Sequence, residues 1–192
     1  MSASTQRSND IPAQLTGSYT IDPTHSRIGF VARHAMVTKV RGSFTDFEGA
    51  GYLDADHPEK SRVQLTIQAK SIDTANADRD NHLRSNDFFD MDTFPEIRFI
   101  STGVAVVDDG YAITGDLTIK GVTKSVTVDF EYMGTAVDPF NNTRIGFEGS
   151  TVVNRKDWGV SWNAPLEAGG VLVGEKIRLE FDISAIRTGD AE

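Results

Sequence analysis

An all-β fold built from antiparallel strands is predicted by three observations. Eight segments between residues 26 and 183 alternate apolar and polar side chains with period two, the pattern of strands with one dry and one wet face. Short turn signals, such as Asp108-Asp109-Gly110 and Lys120-Gly121, join several of them. The dry faces mix Phe, Leu, Ile and Val with Gly42, Ala69, Gly115 and Gly149. A sheet of this kind closes as a barrel or folds into a sandwich, and periodicity alone leaves both open. The small inward residues favour an eight-stranded barrel with room for one small ligand, although glycines there would equally relieve crowding or mark bends.

Residues 1–16 are polar and are expected to be a disordered tail, with residues 17–188 forming a single domain. The β pattern begins at Tyr19. In 26–34, Ile28, Phe30, Ala32 and His34 share one face, so His34 is expected as a hydrogen-bonded core histidine. In 39–54, Val40, Gly42 and Phe44 alternate with Lys39, Arg41 and Ser43, and Gly49 and Gly51 suggest a bulge or bend. In 62–72, Val63, Leu65, Ile67 and Ala69 oppose Gln64, Thr66, Gln68 and Lys70. Ile97 and Phe99 open a fourth strand. Tyr111, Ile113, Gly115, Leu117 and Ile119 mark the fifth, and Val122, Val126, Val128, Phe130 and Tyr132 the sixth. Ile145, Phe147, Gly149, Thr151 and Val153 mark the seventh, and Ile177, Leu179, Phe181 and Ile183 the eighth.

Two stretches break the alternation. Residues 71–95 (SIDTANADRDNHLRSNDFFDMDTFP) read as a short polar helical plug near residues 78–89, with Asp78 or Asp80 as its cap and Pro95 as its stop. Arg79 and His82 are candidate headgroup contacts there and Phe88 or Phe89 candidate tail contacts. The competing reading is a brace in which Arg79 pairs with Asp80, Asp87 or Asp90. Residues 154–174 (NRKDWGVSWNAPLEAGGVLVG) are too apolar for an ordinary loop and read as a lid, a subunit contact or an extra strand pair.

Composition narrows function. The formal charge is −9 without a basic cluster of nucleic-acid type, and cysteine is absent, which removes disulfides, thiolate metal sites and cysteine nucleophiles. No apolar run reaches membrane-spanning length, and the N-terminal sequence has no apolar core of a secretory signal, so a cytoplasmic protein is expected. The chain has no GxxxxGK, GxSxG or HExxH motif. His25, His34, His57 and His82 are dispersed, and no metal site is expected.

Several stretches together resemble the YceI-like family of lipocalin-like polyisoprenoid-binding proteins. They are Asp22-Pro23-Thr24-His25-Ser26 with Phe30 and His34, then Val40, Gly42 and Phe44, and then Ser71-Ile72-Asp73-Thr74. Next come Arg79-Asp80-Asn81-His82-Leu83-Arg84-Ser85, Phe88-Phe89-Asp90 and Phe94-Pro95. Residues 115–124 (GDLTIKGVTK) and Asn154-Arg155-Lys156-Asp157-Trp158-Gly159 complete the set. Tyr19 and Trp158 stand where relatives often carry Trp and Phe. Many relatives also carry a secretory leader.

The resemblance implies an eight-stranded antiparallel lipocalin-like barrel with a long apolar lumen, commonly in a homodimer. It also implies a non-catalytic binding or carrier protein for a long apolar amphiphile: an isoprenoid quinone, a polyprenyl phosphate or pyrophosphate, or a similar lipid, with no cofactor required. The expected ligand-binding residues are Ile28, Phe30, Leu65, Ile67, Arg79, His82, Phe88, Phe89, Phe99, Leu117, Phe130, Phe147, Trp158 and Phe181. The alternatives are an enzyme acting on such a lipid, and a structural or stress-interaction protein whose barrel is filled by its own side chains.

Overall fold

The computed structural model describes residues 10–192. In chain order the elements are β1 (Gly17–Ile21), β2 (Arg27–His34), β3 (Thr38–Phe44), β4 (Phe47–Leu53), β5 (Arg62–Gln68), β6 (Ile72–Asp73) and α1 (Ala77–Arg84). After them come β7 (Glu96–Val107), β8 (Gly110–Ile119), β9 (Val122–Val137), β10 (Thr143–Asn154) and β11 (Lys176–Gly189). Pairing in the order β1-β4-β5-β7-β8-β9-β10-β11 returns to β1, so the sheet closes on itself. The fold is the eight-stranded antiparallel barrel.

The wall has eight positions although more strands are present. One end of β11 pairs with β1 and the other with β2, which makes β1 and β2 two parts of one wall strand. Pro23 interrupts that strand, and Asp22 holds the break by accepting from the Thr24 amide at 3.0 Å. β3 and β4 likewise share a position, pairing with β2 and β1 respectively. Their break falls at Thr45-Asp46. Gly49 and Gly51, expected at a bend, sit in regular register opposite Leu65 and Val63. At the β8–β9 turn, Lys120 and Gly121 have φ of 51° and 75°, the paired left-handed conformation that closes a two-residue hairpin.

Residues 10–16 correct the expectation of a tail. Ile11 and Leu15 are buried in an apolar cluster with Tyr19, Tyr111, Ile145 and Ala185. The Tyr19 hydroxyl donates to the Leu15 carbonyl at 2.7 Å, and the Ala55 amide donates to Thr16 Oγ1 at 3.0 Å. Two large apolar residues in a polar stretch are enough to dock it on one end of the barrel. Residues 1–9 of the expected tail lie outside the described residues. His34 is also corrected: it stands exposed at the end of β2, because the β2–β3 hairpin runs beyond the barrel wall there.

The inward glycines lie under aromatic rings. Gly42 sits opposite Phe30, whose ring covers it, and Phe99 covers Gly115 in the same way. A Cβ on Gly149 would lie 2.6 Å from Phe130 Cδ1. Each ring leans across to the neighbouring strand and takes the space a side chain there would have filled.

Candidate functional site

Inside the wall a cavity of about 330 Å³ runs between the two ends of the barrel. That lies in the size range of pockets that hold small molecules, roughly 300–1,000 Å³. Every strand position contributes, because period-two alternation aims one parity of each strand at the axis. Ile28, Phe30, Leu65, Ile67, Phe88, Phe89, Phe99, Leu117, Phe130, Phe147, Trp158 and Phe181 line it together. Ile97, Val126, Val128 and Ile183 extend the same surface.

At the N-terminal end the wall residues are Ile11, Tyr52, Asp54, Pro58, Ser61 and Arg62. Their polar groups are engaged by the protein. Asp54 Oδ1 accepts from the amides of Asp56 and His57 at 3.1 and 2.8 Å. Arg62 pairs with Glu192 at 2.6 Å and lies 4.9 Å from the centre of the Tyr52 ring. Burial pushes the Tyr19 and Tyr132 hydroxyls above the usual tyrosine pKa.

The opposite end is covered by two elements. The first is the 154–174 loop, which folds over the barrel as a lid. Trp158 is 2% exposed, and its indole donates to the Leu117 carbonyl of β8 at 2.9 Å. Arg155 is buried beneath the loop and donates to the carbonyls of Val160 (2.7 Å), Gly174 (2.9 Å), Trp162 (3.0 Å) and Val173 (3.2 Å). Four carbonyls from both arms of the loop thus converge on one guanidinium, and burial draws its pKa below the usual arginine value. This explains how a long apolar loop holds one conformation, and Arg155 is the residue that sequence reading missed. Its signals were a charge inside the NRKDWG stretch and the family resemblance of that stretch, neither of which names a role for it.

The second cover is α1 with the turn that follows it. The helix is capped by Asn76, whose side chain accepts from the Arg79 amide at 2.9 Å, and not by Asp78 or Asp80. Asp80 is buried and takes both the amide and the hydroxyl of Thr74. Leu83, Phe88 and Phe89 reach the cavity.

Arg79 and His82, expected at the cavity mouth, do not line it. Arg79 donates through Nε to Thr74 Oγ1 and through Nη2 to the Thr74 carbonyl, both at 2.7 Å. The anticipated partners Asp80, Asp87 and Asp90 are not the ones engaged; Thr74 is nearer because the chain folds back tightly before the helix. His82 bonds Asp87 at 2.7 Å and stacks edge-on against Phe88 and Trp162. Both residues brace the cover from outside.

The family model for a YceI-like domain matches residues 19–185. The chain belongs to the YceI-like family. A UPF0312 protein of Photorhabdus laumondii is 41% identical over 146 residues, which span 75% of this chain and 76% of that protein. A UPF0312 protein of Staphylococcus aureus is 37% identical over 164 residues, spanning 85% and 94%. Among solved structures, the YceI protein of Campylobacter jejuni superposes with a TM-score of 0.69 at 28% identity, covering 81% of this chain and 90% of that one. A polyisoprenoid binding domain from Saccharophagus degradans shares the YceI-like fold with a TM-score of 0.64 at 14% identity, covering 88% and 98%. Among the described residues, no helix is long and apolar enough to cross a membrane.

Proposed function

We propose that this YceI-like protein is a non-catalytic carrier that holds the tail of one long isoprenoid amphiphile, an isoprenoid quinone or a polyprenyl phosphate, along the barrel lumen. The observation that carries this is the apolar cavity running between both ends of the wall, with rings of its lining seated over Gly42, Gly115 and Gly149. Each buried CH₂ contributes roughly 0.8 kcal/mol, so a long tail offsets the several kcal/mol cost of association with few polar contacts. The polar side chains at the ends, Asp54, Arg62 and Arg155, are each held by protein partners. The name of the Saccharophagus domain points to the same ligand class.

The test is native mass spectrometry of the purified protein, followed by organic extraction. A retained isoprenoid at one per barrel supports the proposal. Turnover of that isoprenoid on incubation favours the enzyme, and a barrel that takes up no apolar molecule favours the structural reading. The homodimer implied by the family resemblance is part of the same proposal, and light scattering tests it.

A further inference from the structure

The β2–β3 hairpin is chemically unlike the rest of the chain. Residues 23–45 contain Arg27, Arg33, Lys39 and Arg41 and no acidic residue, in a protein of net charge −9. The hairpin extends past the start of β11 at the end covered by the 154–174 loop. There the Ala35 amide donates to the Leu172 carbonyl at 2.7 Å, and the Gly174 amide donates to the Arg33 carbonyl at 2.9 Å. Val173, between those two contacts, lines the lumen. The tip therefore stands beside the covered mouth.

Two features of the tip are costly for an isolated domain. Met36 and Val37 are 64% and 73% exposed at its apex. Directly behind them, Arg33 and Lys39 are paired across the strands and are both exposed. Opposed like charges destabilise a strand pair. Neither cation has an ion pair among the described residues; Arg33 donates to the Val37 carbonyl at 3.2 Å. Nearby carboxylates do not relieve the pair. Glu175 is taken by Lys156 at 2.6 Å, and Glu180 lies 3.7 and 3.8 Å from Arg27 and Arg41. Glu167 is exposed on the loop.

We propose that this tip docks on an anionic lipid surface, with Met36 and Val37 entering the acyl boundary and Arg33 and Lys39 meeting headgroup phosphates. An apolar apex with a basic collar is matched to such an interface, and an anionic surface supplies the counter-charge that the fold leaves out. Docking there sets the covered mouth against the bilayer. The surface is distinct from the lumen, and its binding does not require the cavity to be occupied.

The experiment is co-sedimentation of the full chain with phosphatidylcholine vesicles, with and without a one-third share of phosphatidylglycerol. Wild type is expected to bind the anionic vesicles and to lose binding as salt rises. At about 1 kcal/mol per cation near such a surface, Arg33→Gln with Lys39→Gln should weaken binding at least about tenfold. Met36→Ser with Val37→Ser should weaken it with the charges intact. Both pairs are on exposed positions, and thermal melts confirm that the variants remain folded. Failure of wild type to bind anionic vesicles overturns the proposal, as does equal binding by wild type and both variants. If Met36→Ser with Val37→Ser turns a dimer into a monomer without changing vesicle binding, the tip is a contact between copies and the proposal falls.

Discussion

The rings of His82 and Trp162 meet edge to face with 4.6 Å between centroids, and Phe88 closes the group at 5.3 Å from Trp162. Through this contact α1 and the 154–174 loop hold each other over the mouth of the barrel. Aromatic pairs of this geometry contribute about 0.5–1.5 kcal/mol beyond their burial. Trp162→Ala is therefore expected to speed release of a bound apolar probe several-fold while the wall stays intact. Stopped-flow displacement of a fluorescent lipid measures it, and an unchanged release rate would place the exit at the N-terminal end.

Arg79 and Phe89 separate brace from lining. Arg79→Ala removes two hydrogen bonds to Thr74 and should lower the melting temperature, at about 0.5–1.5 kcal/mol per bond, with affinity of the folded protein unchanged. Phe89→Ala should weaken ligand binding by about tenfold, or 1.4 kcal/mol. Calorimetry on both variants checks the pair, and a reversed pattern would return Arg79 to the binding site.

Much of this was legible in the sequence because a strand's parity survives whatever the wall's curvature. Phe30, Leu65, Phe99, Leu117 and Phe181 were placed inward by alternation alone, and they line the cavity. The plug and the lid were visible as interruptions. The direction of Arg79 was not, because it depends on a fold-back at Thr74 that positions a hydroxyl and a carbonyl together. Arg155 was hidden for a similar reason: its partners are backbone carbonyls, which carry no residue-type signature. Ile11 and Leu15 were lost in a polar stretch, since two apolar residues make no period.

Gly149 tests the account of the glycines. A Cβ there would meet Phe130 Cδ1 at 2.6 Å and the Asp129 carbonyl at 2.8 Å. Gly149→Ala should push the Phe130 ring toward the axis, cost about 1–3 kcal/mol in stability, and reduce affinity for the longest tails first. Denaturant melts and a binding series measure both effects, and a neutral outcome would mean that the ring has other room.

The break between β1 and β2 should make stability depend on acid. Arg144 donates to Asp22 at 2.7 Å and to Asp138 at 2.8 Å. The Arg144 hydrogen bond, with those from Thr24 and His25, holds the Asp22 carboxyl well below the usual range. Asp138 is lowered to about 2, chiefly by the Asn142 amide and then by Arg144. Folded values below the unfolded value near ~3.9 mean that this contribution is complete above that pH and fades as pH falls toward 2. Asp138→Asn should therefore lower the melting temperature at neutral pH, with the gap from wild type narrowing below about pH 4. A gap that stays constant down to pH 2 would contradict the assignment.

The most direct test of the lumen as a tail-binding site is a length series. Delipidated protein carrying Trp162→Phe would be titrated with isoprenoid alcohols of increasing length, reading the fluorescence of Trp158 at the cavity wall. With roughly 0.8 kcal/mol per buried CH₂ as an upper guide, a five-carbon isoprene unit gains at most about 4 kcal/mol, so each added unit should tighten binding by about tenfold or more until the cavity is filled, at one ligand per barrel. Affinity that is independent of tail length, or no change in Trp158 emission with any of them, would contradict a lumen that holds the tail.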